Sequence, residues 1–317
     1  MTRRRLHSCA KTEPSKLRRR LAQSIRFCLT HGGRVVRALL VTLLLAGLAP
    51  SAMTLIWLLR DLPPTMIFEG PKKGQGIVDQ ILPLLIAGMP QYEHTLMRVN
   101  RARAMQMLRE ESFTCDPSLV WTKEREQWIA FSIPAFRAVS NGLVVRREDR
   151  AQLDPFLIDG EVDLAALLAS GQKKIGVVAE RSYGQVLDTL LKLAPPDALA
   201  PHYGNDALAS LLQMQRLGRL QMLLGYRPEI RYQAQQQGIA EDELQFYPIR
   251  GAEKFLSGYI GCTDTPIGRQ AIVEINQLLR KLPRAQLSEA YAAWLDPESR
   301  SAYLEESRVF FEHQAQP

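Results

Sequence analysis

A chain of 317 residues has room for one large domain or two medium ones, and 46% hydrophobic with 23% charged residues is an ordinary globular balance that excludes fibrous and disordered classes. Its formal charge of +7 is unevenly placed: of 40 bases and 33 acids, residues 1–52 hold eleven of the bases and a single acid, Glu13. The remaining 29 bases and 32 acids give a body charge of −3, which lacks the basic footprint that nucleic-acid phosphates require.

Residues 1–52 read as an export leader. Basic residues through Arg37 precede the apolar run Ala38–Leu48, "ALLVTLLLAGL", and small residues follow in "APSAM". Eleven apolar residues are too few to span a bilayer, which takes about 20 in a helix. Ala49-Pro50-Ser51 before Ala52 is the best cleavage context; an uncleaved anchor is the alternative, and the only membrane contact the sequence calls for.

Beyond the leader, strand and helix signals alternate. "TLIWLLRD" (54–61) reads as a strand, "GQGIVDQILPLLIAG" (74–88) as a helix entered through glycines, and "YEHTLMRV" (92–99) as a strand. "RARAMQMLREE" (101–111) follows as an amphipathic helix and "FTCDPSLVW" (113–121) as a third strand. This β-α-β-α-β order predicts an α/β fold with a mostly parallel sheet. After the strand "VSNGLVVRR" (139–147) a second alternating set runs to "RLQMLLGY" (219–226), and "LQFYPIR" and "GYIGC" lead back before three closing helices. The expected organisation is one lobe of residues 53–145 plus 246–317 and a second of residues 146–245.

Catalytic motifs are missing: there is no G-x-S-x-G, P-loop, H-E-x-x-H or C-x-x-C, and His94, His202 and His313 are too scattered for a metal cluster, so no cofactor or metal is called for. Gly74-Gln75-Gly76 after a strand has part of a dinucleotide fingerprint, but Asp79 stands in the third glycine's place. Cys115 and Cys262 remain after the leader, and form either one disulfide or two buried thiols. The residues that stand out are polar groups at strand-to-helix turns: Arg60, Asp61, Ser118, Thr122, Arg125, Arg181, Ser182, Tyr183 and Tyr226. In a two-lobed α/β protein, ligands bind at the carboxyl ends of strands, where a guanidinium grips a carboxylate with two parallel hydrogen bonds. Arg125 either does this or pairs with its neighbours Glu124 or Glu126.

The stretch "PSLVWTKEREQWIAFS" (117–132) resembles the motif of family-3 extracellular solute-binding proteins, the polar amino-acid receptors of ABC transporters. The likeness extends to "WLLRDLPP", "GQGIVD", "NGLVVR", "KKIGVVAERSYG" and "GCTDTPIGRQAIVEINQLL", and so over roughly Thr54–Leu295. It implies the type II periplasmic-binding-protein fold, two lobes joined by two hinge crossings, in a periplasmic protein. It implies also that Arg125 grips the α-carboxylate, that Ser118 and Ser182 complete the cage, and that Asp61 lies near the turn that reads the ligand's side chain. The expected partners are a small carboxylate-bearing ligand and an ABC permease or membrane sensor.

Three departures bear on the ligand. Val120 replaces a hydroxyl residue, Gln221 a strand aspartate, and Tyr226 the carboxylate that takes the ligand's ammonium. A buried ammonium without a carboxylate is poorly compensated, so the expected ligand is an acid that need not be an α-amino acid. The alternatives are a dehydratase-like enzyme using Glu180 or Asp61 on a cyclic carboxylic acid, and an interaction protein with an eroded site.

Overall fold

The computed structural model describes residues 53–171 and 174–315; the leader expected over residues 1–52 lies outside them. The body, Met53–Pro317, is one compact unit. It opens with strand β1 (Thr54–Leu59), helix α1 (Ile77–Gly88), β2 (Glu93–Arg98), α2 (Arg101–Met107) and β3 (Thr114–Leu119). β2 and β3 flank β1 and both run parallel to it. Trp57 and Leu58 on successive faces of β1 are wholly buried, as expected for a central strand covered on both sides. Short strands β4 (Ile129–Phe131) and β5 (Phe136–Val139) follow.

Asp79 explains why the glycine turn before α1 is no dinucleotide site. Its carboxylate accepts the Gly76 N–H at 3.0 Å and the Ile67 N–H at 2.9 Å, so the helix N-terminus that would face a pyrophosphate is already filled by an anion of the chain itself. Gly76 serves close packing: a Cβ there would stand 2.3 Å from the Thr65 carbonyl oxygen.

The chain then crosses to a second sheet. It comprises β6 (Asn141–Arg146), β9 (Ile175–Val178), β10 (Leu199–His202), β11 (Met222–Tyr226) and β12 (Leu244–Pro248), with a small hairpin of β7 (Leu157–Ile158) and β8 (Glu161–Val162) beside it. Helices α3 (Leu164–Ala169), α4 (Gln185–Lys192), α5 (Ala207–Arg216) and α6 (Arg227–Gln236) connect these strands. The strand order is β10-β9-β11-β6-β12, with β10 and β11 parallel to β9 and with β6 antiparallel to both its neighbours. The chain returns through β13 (Phe255–Thr263), which runs antiparallel to β3, β4 and β5, and ends in α7 (Pro266–Lys281), α8 (Arg284–Ala292) and α9 (Pro297–Ala315). Tyr291 of α8 and Tyr303 of α9 are buried in the first lobe's core and hydrogen-bond β5, at the Val139 N–H and the Arg137 carbonyl. No helix among the described residues is long and apolar enough to cross a membrane.

The second sheet starts at Asn141 and ends at Pro248. β6 belongs to it because its residues pair with β11 on one side and β12 on the other. The short strands β4, β5, β7 and β8 have no counterpart in the sequence reading, and neither do β10 and α6. β10, "LAPH", is an edge strand, the one place where Pro201 can sit in a ladder. α6, "RPEIRYQAQQ", is too polar to show an apolar stripe, and starts where Pro228 fits the first turn.

Cys115 of β3 and Cys262 of β13 stand opposite each other in the antiparallel ladder, 4.0 Å apart at Cα, and are joined by a disulfide with no exposed surface. The bond ties the outgoing strand to the returning one and closes a sequence separation of 147 residues, which contains the whole second sheet. A crosslink over so long a loop restricts the unfolded chain strongly. Replacing both cysteines by alanine is expected to lower the unfolding free energy by about 3–5 kcal/mol, read from urea midpoints of variant and parent.

Candidate ligand-binding site

The carboxyl ends of β1, β2 and β3 face those of β9 and β11 across a cleft. About 620 Å3 of space lies between the side chains there, part of it continuous with solvent. The polar lining includes Arg101, Ser118, Arg125, Arg181, Ser182 and Tyr226. All but Arg125 sit at the end of a strand or within four residues of it, which is why a parallel-stranded fold gathers them.

Arg125 opens a short 3-10 turn, Arg125–Gln127, and Thr122 fixes its backbone by accepting the Arg125 N–H on Oγ1 at 3.1 Å. Thr122 therefore positions the arginine and does not line the cleft. The Arg125 guanidinium donates through Nη1 to the Val120 carbonyl at 3.1 Å, and through Nη2 to the Glu180 carbonyl of the other lobe at 3.0 Å. Val120, which lacks the hydroxyl its position calls for, thus contributes its main chain. The acidic neighbours do not compete: Glu124 reaches across to Lys192 at 3.0 Å, and Glu126 is exposed. Arg125 is buried with no carboxylate in contact; burial, and then the charge of Arg60, hold its pKa below the ordinary arginine value.

Two other arginines are already paired. Arg181 donates from Nη1 and Nη2 to the two Glu229 carboxylate oxygens, both at 2.8 Å, with both side chains 5% exposed. Burial works against the Arg181 charge, and Glu229 more than offsets it, so the guanidinium's pKa lies above its ordinary value. Arg60 pairs with Asp116 at 2.7 Å and also donates to the Ser118 carbonyl. Its Nε and Nη1 are buried without a partner.

The sequence candidates accordingly divide. Arg125, Ser118, Ser182, Arg181 and Tyr226 come together in the cleft, but Arg181 enters it neutralised. Ser182 donates its hydroxyl proton to Asp188 and accepts the Gly184 N–H, so its oxygen has one lone pair to offer. Asp61 is exposed and lines an adjoining pocket with Arg60 and Arg101, away from Arg125. Glu180 turns an exposed side chain outward and contributes its carbonyl.

Two cleft residues escaped the sequence reading. Glu229 lies in the first turn of α6, the helix that showed no pattern. It places a carboxylate three residues beyond Tyr226, where the chain had seemed to offer only a phenol, but Arg181 holds both its oxygens. Arg101 is the first residue of α2, three past the end of β2, where the strand-end rule that singled out Arg60 and Arg181 applies equally. It makes no hydrogen bond or ion pair with any described residue. Burial, then the charges of Arg60, Arg181 and Arg125, hold its pKa well below the ordinary value.

Solved structures match this architecture over nearly their whole length. The arginine-binding protein of T. maritima, as its P235GK mutant, superposes with a TM-score of 0.57 over 77% of this chain and 95% of its own, at 15% identity. A histidine kinase sensor domain with similarity to periplasmic binding proteins gives 0.59 over 77% and 96%, at 14% identity. The fold is that of a two-lobed periplasmic binding protein. A Salmonella typhimurium periplasmic binding protein of high arginine specificity shares it as well, with a TM-score of 0.54 over 75% of this chain and 98% of its own, at 19% identity. No protein-family model and no curated protein matches the sequence. At such identities the periplasmic-binding-protein likeness establishes the fold, and the reading of the cleft rests on its own side chains.

Proposed function

We propose that this chain is an exported solute-binding protein that captures a small carboxylate-bearing ligand between its lobes, serving an ABC permease or a membrane sensor in the periplasm. The observation that carries this is Arg125: a buried guanidinium, bonded to a carbonyl of each lobe and to no carboxylate, within a cleft at strand ends. A ligand carboxylate exchanging with those carbonyls gains charge-assisted bonds and draws on both lobes at once, so that closure and binding are coupled. The structural relatives include receptors of both kinds, an amino acid ABC transporter substrate-binding protein and a kinase sensor domain. The basic residues through Arg37 followed by the apolar run Ala38–Leu48 support export, and this segment would tether the chain to the membrane if it stays uncleaved.

Relatives named for arginine binding do not transfer their ligand to this cleft. A cationic ligand would meet Arg101 and Arg125, and Glu229, the carboxylate nearest the place of an ammonium, is held by Arg181. The ligand is therefore an acid that needs no α-ammonium group. A thermal-shift screen of the full chain against amino acids and simple carboxylates tests this. A ligand at about 100 times its Kd adds about 2.7 kcal/mol of stability, which raises Tm by roughly 5–10 °C. Carboxylates are expected to give that rise; a rise with L-arginine or L-lysine and with no acid would overturn the proposal.

A further inference from the structure

We infer that the cleft takes a ligand with two acidic groups, one gripped by Arg125 and the other by Arg101. This deepens the solute-binding reading and rests on it. Arg60, Arg101, Arg125 and Arg181 lie near enough to repel one another, and two of them have carboxylate partners, Asp116 and Glu229. Asp116 and Glu229 take up Arg60 and Arg181, so Arg125 and Arg101 are the two of these guanidiniums that have no carboxylate in contact among the described residues. Asp188 lowers the local potential at Arg125, but its oxygens are occupied by the Ser182 hydroxyl and the Tyr183 N–H.

Arg101 is what separates this cleft from a site for a single carboxylate. It lines both the Arg125 cleft and the adjoining pocket, where Arg60, 7% exposed, carries unpartnered Nε and Nη1 donors. That pocket is not uniformly positive, since Asp61 and Asp206 also line it, so the second acid group belongs at Arg101 itself. A monocarboxylate on Arg125 would leave Arg101 half-buried beside Arg60, Arg125 and Arg181, with no carboxylate among the described residues in contact with it. The fork of each guanidinium accepts one carboxylate in two parallel bonds, so a diacid satisfies both forks without further protein groups. The arrangement is costly without ligand, as binding sites often are: charge that opposes folding is kept because the ligand uses it.

Calorimetric titration of the full chain separates the outcomes through two matched pairs, glutarate against valerate and L-glutamate against L-glutamine. The diacid is expected to bind about 10–100 times more tightly in whichever pair binds, the worth of one charged hydrogen-bonding group. Arg101→Gln should reduce that preference to about threefold or less, costing the diacid more affinity than the monoacid, and its ligand-free Tm should equal or exceed the parent's, because a repulsion is removed. Arg101→Lys, which keeps the charge and loses the fork, should retain part of the preference. A monoacid within about threefold of its diacid, or an Arg101→Gln protein that still discriminates, overturns this inference and leaves the solute-binding reading in place. Failure of every acid and amino acid to bind takes down both.

Discussion

Replacing Glu229 by alanine is expected to lower the unfolding free energy by about 3–5 kcal/mol, more than any other single side-chain truncation in the cleft. The carboxylate takes both Arg181 bonds at 2.8 Å in a setting where each side chain is 5% exposed. Removing it leaves a buried guanidinium without an anion, beside Arg101, whose charge already repels it. Arginine cannot escape by losing its proton below about pH 12, so raising the pH over the usual range would not relieve the cost. The flanking Tyr183 and Tyr226 rings, 5.9 and 5.8 Å from the guanidinium, offset only a fraction of it. The double replacement Arg181→Met with Glu229→Leu should be within about 1 kcal/mol of the parent, because desolvation of an ion pair consumes most of its attraction. Urea unfolding of the two single variants and the double variant completes the cycle. A loss below about 1 kcal/mol for Glu229→Ala would mean that solvent reaches Arg181 and that the pair is not what neutralises it.

That pairing marks the limit of what the sequence could say about the site. The strand-end rule located the right turns, and it selected Arg181 and Arg125 for the same reason. What distinguishes them is a partner far along the chain: Glu229 lies 48 residues from Arg181, and Asp116 lies 56 from Arg60. Charge balance in a cleft is a tertiary property, so spacing cannot show which guanidinium is free. Arg101 was legible by position and was read as part of an amphipathic helix, because a first-turn arginine looks the same on a solvated face as over a cleft. Spacing leaves Arg125 open between a neighbouring glutamate and a ligand; in the structure its side chain turns from both glutamates toward the Val120 and Glu180 carbonyls. The architecture was easier to read, since parallel strands buried on both faces announce themselves as apolar runs. The elements without that mark are the ones the sequence does not announce: the Pro201 edge strand, the glutamine-rich α6 and the two- to four-residue strands β4, β5, β7 and β8.

Arg125→Ala should abolish binding of the acidic ligand, with an affinity loss of about 100- to 1,000-fold, and yet leave the protein folded. Two opposing terms keep its stability near the parent's. The variant loses charge-assisted hydrogen bonds to the Val120 and Glu180 carbonyls, worth about 1.5–3 kcal/mol each. It also removes a buried charge that desolvation and Arg60 both disfavour. The net change should fall within about 1 kcal/mol, whereas an arginine that served the fold alone would cost several. Because Nη2 is one of the bonds between lobes, the ligand-free variant should also open more readily, and small-angle scattering should show no compaction when ligand is added. Arg125→Lys tests the fork: a single ammonium cannot give two parallel bonds or reach both carbonyls, so its affinity should fall between alanine and arginine. A folded Arg125→Ala protein that binds within about threefold of the parent would place the first acid group elsewhere, with Arg101, which also lines the cleft, the cation left to take it.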